Sequence, residues 1–328
     1  MKAVVWTKYG PPDVLQYREV EKPSPKHNEI LVKIHATAVT AGDCEMRTLN
    51  FPPWIALPMR IYVGLGKPKR VTILGSYLAG EIETAGRDVR RFTVGDQIFG
   101  TTGLSCGGYA EYVCLPEEGI MASKPSGMTY EEAAPVALGG LEALHFLRKA
   151  ALRPGQTVLI NGAGGTIGTY AVQLAKNYGA EVTGVDSTGK LEMLRSIGAD
   201  HVIDYTVEDF TRSGRTYDVI FDVVLKSPFS RIIRSLKENG TYLMTNPTLS
   251  KMIRGAWVSR TTNKKVIFEM TQPNARDLIQ LKELIEAGKL KTVIDRTFPL
   301  EDAVEAHRYI ETGQKRGNIV MTIGHKAE

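Results

Sequence analysis

At 328 residues, with 43% hydrophobic and 23% charged side chains, the chain has an ordinary globular composition and the length of two domains. Its net charge of +5 comes from basic residues spread along the sequence, which argues against a nucleic-acid surface but suits a phosphate-rich small molecule. No apolar run approaches the roughly 20 residues of a membrane span, and Cys44, Cys106 and Cys114 stand at spacings that support neither a disulfide framework nor a metal cluster.

The opening MKAVVWTKYG reads directly as a strand without a signal-peptide pattern, so a cytoplasmic protein is expected. The first third continues strand-rich: KAVVW, LQYREVE, EILVKIHATAV, AGEIETAG, GDQIFG and GGYAEYVCL are short alternating runs punctuated by Pro and Gly. Such runs predict a partly closed β-barrel or sandwich. Within it, residues 50–69 are too apolar for a plain loop and too proline-broken for a strand. They are read either as core packing or as the wall of a substrate pocket, with Trp54, Leu57 and Met59 as its greasy face.

From Thr129 the apolar spacing turns helical, and Pro154-Gly155 ends that helix. Thr157 to Ile160 form a strand, NGAGGTIG (Asn161 to Gly168) a glycine-rich turn, Thr169 to Gly179 a helix and Glu181 to Asp186 a second strand. Glycine is needed in such a turn because any Cβ holds the backbone away from a pyrophosphate, whose charge the open N–H groups of the helix attract. The best register is Ala163-x-Gly165-x-x-Gly168, an imperfect dinucleotide fingerprint supported by its strand-helix-strand setting and by Asp186. Further strands and helices alternate to about Met270, which predicts a doubly wound parallel sheet. Residues from Asn274 onward are expected to return to the first domain, leaving the nucleotide domain as an insertion.

In this order the chain resembles a medium-chain dehydrogenase/reductase of the zinc-free quinone oxidoreductase type. The resemblance is carried by DVRRFTVGDQIFG (88–100), GGYAEYV (107–113), the run from Pro135 to Leu144, NGAGGTIG, IGADHVIDY (197–205) and AHRYIETGQKRGNIV (306–320). It implies an α/β protein with a GroES-like β-barrel catalytic domain over 1–122 and 271–328 and a Rossmann domain over 123–270. NAD(P)H bound between them would reduce carbonyls, quinones or activated double bonds. Zinc-dependent relatives hold the metal where this chain has Thr40, Ser76, Tyr77 and Leu138, none of which suits Zn²⁺. The six histidines show no ligand pairing, so no metal is expected.

Without a Lewis acid, hydrogen-bond donors or solvent must meet the charge on substrate oxygen. Thr40, Asp43 and Tyr62 are the candidates, Asp43 being equally readable as a turn cap. The resemblance places Thr40, Trp54, Tyr62 and Glu142 at the substrate. It gives the coenzyme to Gly164, Gly165, Thr166, Ile167, Asp186, Ser187, Lys190, Tyr205, Val224, Phe268 and Asn318. Glu142 and Leu225 depart from the usual Thr and Gly of relatives near the nicotinamide. Asp186 favours NAD, whereas Lys190 and Tyr205 match positions that hold a 2′-phosphate. A partly exposed Asp186, free to swing to solvent, tips the expectation narrowly to NADP(H). A homodimer through the last Rossmann strand is expected. The alternatives are a zinc-free alcohol dehydrogenase and a non-enzymatic NADPH-binding structural or RNA-associated protein.

Overall fold

The computed structural model describes residues 1–325, apart from the side chains of Pro53 and Trp54. It divides into two units, one of Met1–Leu138, Asn274–Glu286 and Thr292–Glu328, the other of Gly139–Pro273 and Ala287–Lys291.

The first unit is built on the 11-residue strand Glu29–Val39, whose Ile30, Val32, Ile34, Ala36 and Ala38 are buried in alternation. Length lets it serve two neighbours along one edge: Glu29 to Lys33 pair with Tyr112–Pro116, and Ala36 to Val39 pair with Asn318–Thr322. The spatial order of the sheet is Ile294–Pro299, Asn318–Thr322, Glu29–Val39, Tyr77–Ala85, Gln97–Thr101 and Met121–Ser123. A separate hairpin, Lys2–Trp6 with Leu15–Glu19, adds Trp6 to a core containing Ile30, Leu74, Leu78 and Ile98.

Residues 50–69 hold a helix, Pro53–Val63. Proline opens it at no cost to the first turn, but Pro58 lies inside and forfeits a backbone bond. Buried Val63 and the packing of Met59 and Tyr62 on the core offset that loss, which sequence pattern alone does not reveal.

The second unit carries six parallel strands in the order His201–Asp204, Glu181–Asp186, Thr157–Asn161, Tyr217–Asp222, Leu236–Met244 and Lys265–Phe268. Because Thr157–Asn161 pairs with both Glu181–Asp186 and Tyr217–Asp222, the winding reverses beside it. Open α/β sheets bind ligands at such a switch point, beyond the carboxyl ends of the strands. The helix Leu249–Thr261 was not expected from the sequence. Its apolar stripe of Leu249, Ile253 and Trp257 faces outward, so burial of Gly255 and Val258 leaves no one-sided pattern to read.

Candidate functional site

The turn after Thr157–Asn161 is tied to the neighbouring strand. Gly162 and Ala163 donate their N–H groups to the Val185 carbonyl at 3.0 and 3.1 Å. Its glycines are required for different reasons. Gly162 has φ +84°, and a Cβ there would lie 2.4 Å from Val224 Cγ2. At Gly168 a Cβ would meet the Gly162 carbonyl at 2.3 Å, and at Gly164 it would meet Lys190 Cδ at 2.6 Å. Only Gly165 faces room, its nearest neighbour being the Gly162 carbonyl at 3.5 Å. Gly165 also caps the helix Thr166–Asn177 without a side-chain bond, and no acid lies in that first turn. A cradle that a Cβ would fill, at a helix N-terminus, fits a pyrophosphate.

Asp186 closes this site from below and corrects one expectation. It is buried, not partly exposed, and cannot swing to solvent without losing three partners. Its Oδ2 accepts from the Gly164 N–H at 2.8 Å, and its Oδ1 accepts from the Ser187 N–H at 2.9 Å and lies 3.0 Å from Lys190 Nζ. Lys190 is likewise buried, which rules out a solvated helix-start lysine. Tyr205 donates its backbone N–H to the Asp186 carbonyl at 3.1 Å and leaves its ring exposed. Thus Gly164, Asp186, Ser187, Lys190 and Tyr205 are brought together.

Sequence reasoning missed Asp222. Fully buried at the end of its strand, it accepts from Asn161 Nδ2 at 2.8 Å, Tyr242 Oη at 2.9 Å, and the backbone N–H groups of Val224 and Leu225 at 3.2 and 2.8 Å. It thereby shapes the loop that follows. Leu225 takes φ +58°, a left-handed conformation that explains why glycine suits the position better. Phe268 ends the edge strand and packs on this unit's core. Three residues on, Thr271 donates to Glu142 Oε2 at 2.6 Å, so Glu142 sits beyond the carboxyl end of the sheet. Burial raises the Glu142 carboxyl, opposed by the Thr271 bond and by His145.

In the other unit, Thr40 and Asp43 cap the helix Ala41–Thr48 reciprocally. Thr40 donates its backbone N–H and its hydroxyl to Asp43 Oδ2 at 2.9 and 2.7 Å, and Asp43 returns its N–H to Thr40 Oγ1 at 3.1 Å. Gly75 N–H gives Asp43 Oδ1 a further bond at 3.1 Å. Behind them lies a buried relay. Arg47 Nε donates to His307 Nδ1 at 3.3 Å, so His307 carries its proton on Nε2 and donates it to Tyr109 Oη at 3.2 Å, leaving the Tyr109 hydroxyl to donate to Asp43. Arg47 also binds the Gly10 carbonyl and Glu311. Burial, then Arg47, pushes His307 down to about 3, and burial first pushes the Cys44 thiol up to about 12. Neither residue was singled out from sequence, since no spacing joins positions 44, 109 and 307.

Tyr62 packs half-buried on the core with Arg70 4.3 Å over its ring. The side chain of Trp54 lies outside the described residues. Asn318 is buried, bonded through Nδ2 to the Val293 carbonyl, with its Oδ1 unpartnered. That orphan acceptor suits a donor such as a carboxamide.

A family profile described as Alcohol dehydrogenase GroES-like domain matches residues 26–126, and one described as Zinc-binding dehydrogenase matches 197–321. The solved quinone oxidoreductase from Coxiella burnetii superposes with a TM-score of 0.87 at 30% identity, covering 99% of each chain. The chain belongs to the quinone oxidoreductase-like family of the medium-chain dehydrogenases/reductases. Within this family, the 2-methylene-furan-3-one reductase of Solanum lycopersicum is 32% identical over 98% of this chain and 79% of its own length. The NADPH-dependent alkenal/one oxidoreductase of Arabidopsis thaliana is 31% identical over the same shares. One profile's description invokes zinc, but the donor set here does not suit it. Thr40, Ser76, Tyr77 and Leu138 supply no thiolate, imidazole or carboxylate, and among the described residues no group of three His, Cys, Asp or Glu can hold a metal.

Proposed function

We propose that this family member is an NAD(P)H-dependent, zinc-independent reductase of a quinone, an enone or a related carbonyl. The observation that carries the reading is the open cradle at Gly165, at the sheet's switch point and at a helix start that no side chain caps. The coenzyme supplies a hydride when bound. Gly164, Gly165, Thr166 and Ile167 offer the backbone that receives its phosphates. Thr40 has already committed its hydroxyl proton to Asp43, and Asp43 is filled by three donors besides Tyr109. The proton that completes reduction therefore comes from solvent, as positioning of donor and acceptor permits.

NADP(H) is preferred by a small margin in this reading. Asp186 brings its own counter-ion, Lys190 Nζ at 3.0 Å, so its repulsion of a 2′-phosphate is largely cancelled, while the exposed Tyr205 ring and Ser187 remain near. Steady-state kinetics with a panel of quinones and enones test both claims. No turnover with either coenzyme overturns the activity, and a tenfold better use of NADH overturns the preference. We further propose a homodimer, because among the described residues Lys265–Phe268 has one strand neighbour and Leu249, Ile253 and Trp257 are exposed on the preceding helix.

A further inference from the structure

The helix Pro53–Val63 and the turn after it combine two features. Leu57, Ile61 and Leu65 recur every four residues and are 61%, 63% and 66% exposed, a stripe of large aliphatic side chains that the unit's own core does not cover. Arg60 in the helix and Lys67, Lys69 and Arg70 in the segment after it are all exposed. No aspartate or glutamate occurs between Glu45 and Glu81, and none of these four basic side chains is in an ion pair among the described residues. Arg60 instead spends its Nε on the Leu65 carbonyl at 2.8 Å, which closes the turn, and Arg70 lies on the Tyr62 ring. The opposite side of the helix is anchored, through Val63 in the core, Met59 and Tyr62 against it, and the Tyr9 hydroxyl donating to the Gly64 carbonyl at 2.5 Å.

An anchored helix with an aliphatic outer stripe and an uncompensated basic end has the chemistry of an interfacial helix. Aliphatic side chains enter the acyl boundary, and lysine and arginine stems reach up to anionic headgroups. A protein partner would also cover the stripe, but four unneutralised cations on one short segment favour a uniformly anionic surface over a mixed one. We propose that residues 57–70 dock this protein on an anionic lipid bilayer surface. The proposal uses none of the coenzyme residues; it takes Leu57, Met59 and Tyr62, which the sequence also offers to a substrate pocket, as part of the outer stripe and its anchors.

Vesicle co-sedimentation of the full chain tests it, with phosphatidylcholine alone and with phosphatidylglycerol added. The expected result is binding to the anionic vesicles, suppressed by high sodium chloride as screening shortens the field. Replacing Lys67, Lys69 and Arg70 together with Gln should weaken the partition roughly a hundredfold, at about fivefold per cation. Ile61→Asp should abolish it, with unchanged far-ultraviolet dichroism showing that either variant still folds. Failure to sediment with anionic vesicles overturns the proposal, as does binding that the triple variant retains. Light scattering that shows a self-associated species dispersed by Ile61→Asp also overturns it, by assigning the stripe to a second copy.

Discussion

A residue-scale account of the turn separates glycines that the sequence shows only as a cluster. Spacing announced a nucleotide turn, but not that Gly168 serves close packing, Gly164 makes room for Lys190, and Gly165 alone faces open space. Gly165→Val should therefore leave the thermal midpoint nearly unchanged while coenzyme binding, read by titration calorimetry, is lost. Gly168→Ala should do the reverse in stability, since its Cβ meets the Gly162 carbonyl at 2.3 Å and overpacking of that kind costs about 1–3 kcal/mol. Coenzyme affinity that survives Gly165→Val would place the phosphates elsewhere. The Asp186–Lys190 pair was half legible: both residues were named, but their mutual burial depends on backbone donors from Gly164 and Ser187 that no side-chain pattern encodes. Lys190→Ala leaves Asp186 uncompensated, so affinity for NADPH should fall more than affinity for NADH. Equal losses for the two coenzymes would show that Lys190 acts only on the fold.

Elements that the sequence under-read share one cause. The helix Ala41–Thr48 is short and buries polar residues, Asp43 and Arg47, where a periodicity argument looks for apolar ones. Its stability comes from the capping box and from the relay through Tyr109 and His307, residues far apart in the chain. That relay carries a pH signature. His307 titrates near 3 when folded and near its ordinary 6.5 when unfolded, so its contribution is full above pH 6.5 and is lost as pH falls toward 3. The loss by pH 5 is about 2 kcal/mol, on a slope of roughly 1.4 kcal/mol per pH unit. Asp43, which burial raises, has the opposite sign and gains a proton on folding as pH falls. Urea unfolding of the unmodified chain and of His307→Leu at pH 7.5 and pH 5 separates the two. The variant should be less stable at pH 7.5 but show a shallower acid loss, or a gain, and parallel pH profiles would mean that His307 is protonated in the folded protein.

At the scale of the whole molecule, the alternation of strands and helices from Thr157 to Phe268 made the parallel sheet readable, because buried strands of that kind are continuous apolar runs. The substitution of Thr40, Ser76, Tyr77 and Leu138 at the zinc-ligand positions was readable from the sequence, and from it we expect elemental analysis to find no stoichiometric zinc, with activity kept in chelator. About one zinc per chain would overturn that. Association is less legible, because an outward apolar stripe on Leu249–Thr261 looks the same in sequence as one turned to the core. Lys265–Phe268 ends the sheet among the described residues, and although the Val266 N–H is taken by Ser259 Oγ at 2.8 Å, a second copy can add to that edge in antiparallel fashion. The stripe beside it, with Trp257 65% exposed, would then be buried by the same contact. Light scattering on the purified chain should accordingly give twice 36.1 kDa. Ile253→Asp with Trp257→Asp places two carboxylates in that contact, where burial of each unpaired charge costs several kcal/mol, and should return the monomer without loss of fold. A monomer at 36.1 kDa for the unmodified chain, at the concentrations of the kinetic assay, removes the dimer from the account and leaves the exposed stripe to another partner.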